Sequence, residues 1–158
     1  MSASLWADMD AYLEAAVLAD MGTAGLYATL PIAQIVIGPL GDIDQLTLPA
    51  VIIQSFDVEH EGGPHGDGAI HLDCRYPYTL AVLCANADFE TSRANCQELG
   101  RRLRELLRTR YAFGGLAATD GETVQSTEIG TTSLDSFGEI AGEYVHGALL
   151  NLTVNTHI

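Results

Sequence analysis

The chain has 158 residues, of which 47% are hydrophobic, and its 21 acidic and 7 basic side chains give a formal net charge of −14. That length suits one domain, residues 1–158, able to bury roughly 70% of its unfolded surface, and the composition lacks the marks of disorder. No apolar run reaches the ~18 residues that would cross a bilayer, and without a single lysine there is no Schiff base and no P-loop phosphate ligand.

Residues 4–20 set Leu5, Met9, Tyr12, Leu13, Ala16 and Val17 at three-and-four spacing, with Asp8, Asp10 and Glu14 off that stripe. This predicts an amphipathic helix, with Ser4 as its N-cap and Gly22 as its stop. Residues 32–37 form a short apolar run closed by Gly-Pro and Gly-Asp, which reads as a strand and turn. A second strand begins at the β-branched run Val51, Ile52, Ile53 and ends with Phe56 and Val58 alternating with polar residues. After a glycine-rich segment, Ile70, Leu72, Cys74, Tyr76, Tyr78, Leu80, Val82 and Cys84 alternate with other residues. The two runs predict an antiparallel hairpin with an enlarged tip. Pro77 donates no ladder hydrogen bond, so the returning strand must be an edge or be bulged there.

Residues 88–110 carry the strongest helical pattern. Phe89, Cys96, Leu99, Leu103, Leu106 and Leu107 make the apolar face, Asp88 the N-cap, and Arg108 and Arg110 the C-terminal charge. Residues 119–139 are rich in Thr, Ser, Asp and Gly with weak strand character at 122–129, which allows either a wandering loop or a second, mobile hairpin. The closing segment "EYVHGALLNLTVNTH" alternates throughout and predicts a long central strand. The class is therefore α+β: a twisted, mainly antiparallel sheet with the N-terminal helix and one long central helix packed on one face.

The segment "HEGGPHGDGAIH" begins like the His-Glu-x-x-His signature of zinc peptidases, but His65 follows His60 by five residues and Gly62, Gly63 and Pro64 lie between them. That spacing does not bring two imidazoles to one face of a helix. A loop-borne metal site from His60, His65, Asp67 and His71 is the one enzymatic alternative this segment leaves, and it lacks a rigid second layer to hold its ligands. Cys74, Cys84 and Cys96 contain no C-x-x-C pair and fall at alternating or apolar-helix positions, the pattern of small buried residues. His146 and His157 on the last strand read as surface or edge residues. The nucleophile elbow, P-loop and dinucleotide fingerprints are absent. No enzyme activity and no cofactor are expected.

Charge is unevenly placed. Six of the seven arginines, Arg93, Arg101, Arg102, Arg104, Arg108 and Arg110, fall within residues 93–110. An acidic protein disfavours tight nucleic-acid binding by counterion release, and the localised arginines are suited to carboxylates on a neighbouring subunit.

Taken together, the N-terminal helix, the "LPAVII" strand, the hairpin with a long polar tip, the returning "YPYTLAVLC" strand, the helix beginning "ADFETSRANCQELGRRLRELL" and the closing "GEYVHGALLNLTV" strand resemble the tail terminator (tail completion) proteins of long-tailed bacteriophages and related viruses, over nearly the whole chain. The resemblance implies a structural subunit, assembled in the host cytoplasm, that forms a hexameric ring on the last ring of the tail tube, stops tube polymerisation and joins the neck. DNA would pass through its lumen without specific binding. A head-closure or other neck protein of the same virion is the alternative. On this reading, mobile loops near 59–68 and 119–139 meet the tube protein, the neck or connector protein, or the lumen, the first through Glu59, His60, Glu61, His65 and Asp67. Arg93, Arg101, Arg104 and Arg108 are the candidate contacts between subunits.

Overall fold

The structure, a computed structural model, describes residues 3–22, 30–64, 70–119 and 121–157, with the side chains of 3–4, 60–64 and 70–72 outside the description. Two helices, α1 (Ala3–Met21) and α2 (Phe89–Thr109), pack on one face of a mixed sheet built from β1 (Gln34–Ile37), β2 (Ala50–Ser55), β3 (Glu59–Pro64), β4 (Ile70–Asn86), β5 (Thr123–Ile140) and β6 (Glu143–His157). The strand order is β1-β2-β4-β6-β5, with β3 also on β4. Only the β1–β2 pair is parallel. This is the α+β architecture expected from the sequence.

Alternation explains the sheet. On β4, Cys74, Tyr76, Tyr78, Leu80, Val82 and Cys84 all turn to the helices and are at most 2% exposed, as are Ala148, Leu150, Leu152 and Val154 of β6. The period-two pattern thus gives one dry face. From the helices, Leu5, Met9, Leu13, Val17 and Met21 of α1 and Cys96, Leu99, Leu103 and Leu107 of α2 complete this core. At Gly100 the packing is closest: a Cβ there would stand 2.7 Å from that of Ala148. A smaller cluster, Ala50, Ile52, Ala81 and Leu83, lies on the other face under Leu46, Leu48 and Phe137.

β2 and β3 run along the same side of β4, Ser55 opposite Tyr78 and Glu59 opposite Arg75. Three residues, 56–58, stand opposite two, and the break falls where Pro77 offers only its carbonyl, which accepts from Phe56 N at 3.0 Å. Pro77 therefore marks a bulge within an interior strand.

Several expectations are corrected. Helix α1 begins at Ala3, so Ser4 lies inside it rather than capping it. Phe89 does not join the buried face of α2 but is 41% exposed, its ring set edge-on against Tyr144 and His146. Residues 59–64 are strand and not loop. For 119–139, where the sequence allows both a loop and a hairpin, the structure has the hairpin: β5 runs 18 residues and returns through Ala141 and Gly142, both at positive φ, the two-residue turn that matches strand twist. Its polar composition reflects an outer strand with three register shifts, which a pattern search for buried runs does not detect.

Candidate interaction surfaces

The hairpin singled out by its histidines is present. His60 pairs with Cys74, Glu61 with Asp73, Gly63 with His71 and Pro64 with Ile70. Glu59 is exposed, while His65 and Asp67 lie outside the described residues, as do the side chains of His60, Glu61 and His71. Among the described residues no group of three or more His, Cys, Asp or Glu could hold a metal ion.

Helix α2 carries Arg101, Arg104 and Arg108 exposed on its outer side, because its inner side is fixed by the leucine spacing, while the Arg102 side chain is only 15% exposed. Asp88 caps it, accepting from Thr91 N at 2.9 Å and Thr91 Oγ1 at 2.7 Å. These bonds, the side-chain one foremost, hold its carboxyl below the usual range. Arg101 makes a two-point contact with Glu98, which also accepts from Arg102 Nε at 2.9 Å. Arg108 forks onto Glu105, and Arg93 stands 4.0 Å from Glu90. Arg104 instead reaches sideways to β5, donating to Gly130 O at 2.7 Å. Arg110 joins Asp20 of α1 at 3.1 Å. The candidate contact residues Arg93, Arg101 and Arg108 thus make ion pairs within their own helix while keeping side-chain exposures of 50–72%. Between α2 and β5 lies a groove of about 290 Å³, floored by Gly100, Ala148 and Leu134 and rimmed by Arg101, Arg104 and Thr132.

Buried polar groups, which sequence reasoning passed over, join the elements beneath these surfaces. Glu122, fully buried, accepts from Tyr76 Oη at 2.6 Å and Thr156 Oγ1 at 2.8 Å. Nothing in the local sequence distinguishes it from its solvated neighbours. Asp10 accepts from Tyr78 Oη at 2.7 Å, tying α1 to β4, and burial followed by this bond pushes the phenol up. The reading of His146 as a surface residue is corrected: it is 2% exposed. Ser92 Oγ donates its one hydrogen to Tyr144 O at 2.7 Å, so Nδ1–H of His146 is the donor across the 2.8 Å to Ser92 Oγ. His157 is paired with Asp73. The three cysteines are buried and form no disulfide. Burial raises the Cys74 thiol, and a hydrogen bond with Cys84, together with burial, raises Cys96. Cys74 stands opposite Thr156 and Cys84 opposite His146, so Cys74 and His146 sit at opposite ends of the ladder and form no dyad.

No protein-family model matches the chain, and no curated protein matches it. Among solved structures, it is similar to a chain in the virion of a native gene transfer agent (GTA) particle, with a TM-score of 0.54 at 11% identity over 99% of this chain and 100% of that one. At that identity the likeness is one of fold, and it runs end to end.

Proposed function

We propose that the chain is a structural protein of a phage-like virion, and more finely that it forms a ring which caps the tail tube, ends tube polymerisation and joins the tail to the neck. The observation that carries the virion reading is the end-to-end likeness of fold to a chain of an assembled virion particle; the finer tail-terminator role rests on the order and pattern of elements along the sequence. Two features of the molecule support it. A net charge of −14 suits a conduit that lets DNA pass without holding it. The outer strand β5 leaves nearly all of its residues exposed or half-buried, surface available to tube and neck neighbours.

Imaging particles in which this subunit is labelled tests the assignment. Label at the junction of tail tube and neck is the expected result. Label among the head-closure proteins would replace the terminator role by a neck role, and label absent from particles would overturn the structural reading. Metal analysis is an independent check: stoichiometric metal lost on His65→Ala would make the hairpin tip a metal site instead of a contact surface.

A further inference from the structure

The outer surface of α1 is the unexplained feature. A helix at a protein surface normally turns polar residues outward, and α2 does so. On α1, the exposed residues among the described side chains are Ala7, Asp8, Ala11, Ala15, Leu18 and Ala19, and Leu18 is 53% exposed. Five of these six are apolar. Every charged residue on α1, Asp8, Asp10, Glu14 and Asp20, is acidic, and Asp10 and Asp20 are engaged within the chain by Tyr78 and Arg110. Asp8 and Glu14 flank the apolar strip. A helix that is apolar outward as well as inward has the composition of a buried one.

The complement lies on the same molecule. The α2–β5 groove has an apolar floor at Gly100, Ala148 and Leu134 and two guanidinium groups, Arg101 and Arg104, on its rim. Arg104 is held there by Gly130 O. At about 290 Å³ the groove is at or below the small end of the range for small-molecule pockets, and suits an aliphatic side chain such as that of Leu18. Helix α1 lies over β1 and β2, whereas α2 lies over β4, β6 and β5, so strip and groove occupy opposite sides of one layer. Two different, complementary patches on opposite sides cannot pair isologously; they join head to tail, the arrangement that closes into rings.

We infer that the outward strip of α1 in one copy seats in the α2–β5 groove of a second copy, with Asp8 and Glu14 meeting Arg101 and Arg104. This rests on the ring reading and names its contact. The test uses charge reversal in the full chain, followed by sedimentation velocity across a concentration series. One variant, Arg101→Glu with Arg104→Glu, makes both patches acidic; the other, Asp8→Arg with Glu14→Arg, makes both basic. Each alone should associate at least about tenfold more weakly than the wild type. An equimolar mixture should associate again, because each reversed patch then finds its opposite. Arg101→Glu alone, which leaves the Arg104 bond to β5 in place, guards against an effect on folding and should show the same direction. Variants that associate as the wild type does, or a mixture no better than its components, would overturn this docking while labelled-particle imaging still decides the ring reading. A wild type that stays monomeric throughout would overturn it as well, and a groove variant that loses only tail-tube binding would assign the groove to the tube protein instead.

Discussion

Helices α1 and α2 lie side by side on one sheet face and bury similar inner stripes, yet their outer surfaces have little in common. α2 carries five arginines and three glutamates, laced by pairs three and four residues apart, which is how a helix is finished against water. α1 carries four alanines, a leucine and one aspartate. The inner stripe of each is decided by the fold of one chain, while the outer surface is decided by what surrounds that chain. The outer face of α2 is thus satisfied by ion pairs of its own, whereas that of α1 offers water mostly apolar side chains.

If both helices close the same core, their inner faces should cost alike. Leu13→Ala and Leu103→Ala, at sites 1% and 0% exposed, should each lose ~2–5 kcal/mol in denaturant unfolding. A loss confined to α2 would break the comparison by making α1 an appendage. Glu122→Leu removes the acceptor that Tyr76 and Thr156 share, and should cost ~1–3 kcal/mol by the same measurement. Gly100→Ala sets a Cβ 2.7 Å from Ala148, so α2 must shift, at ~1–3 kcal/mol.

The outer surfaces should separate the helices where the inner ones do not. Ala11→Glu should leave monomer unfolding within ~0.5 kcal/mol of wild type yet reduce self-association. Arg108→Ala, which lies outside the groove, should leave association unchanged. The smallest effect is on pH. Hydrogen bonds from Thr91, Arg101 and Arg108 hold Asp88, Glu98 and Glu105 below their ordinary values. A carboxylate with a depressed folded pKa contributes stability that is present above its unfolded pKa of ~4 and is lost as pH falls through the folded value. Thermal unfolding should therefore be insensitive to these pairs from neutral pH down to about 5 and drop slightly below 4. Arg108→Ala should reduce the part due to Glu105.

Much of the fold was legible because burial writes itself into periodicity. The α2 leucines at 99, 103, 106 and 107 and the even-numbered alternation of β4 and β6 are long runs with one answer. β5 was harder to read. An outer strand has one edge and much of both faces in water, so Thr, Ser and Gly are permitted where β-branched apolar residues would otherwise signal a strand. Phe89 and His146 were misplaced together, since the imidazole is buried by a ring at the start of α2 that sequence spacing assigned to the core. The groove was half legible. The arginine cluster pointed to α2, but its position depends on how β5 passes beside Gly100, a contact between residues some thirty apart. The exposed alanines of α1 carry no signal of their own in the sequence, because composition alone does not say which side of a helix is wet.

If the proposed ring forms, α1 of each copy is covered by the next. Single-particle images of the chain assembled on tail tubes test it directly. The expected image is a closed ring with a central pore on one end of the tube, α1 of each subunit packed on α2 and β5 of its neighbour. Isolated subunits decorating the tube, or a ring whose α1 strips face solvent, would contradict it.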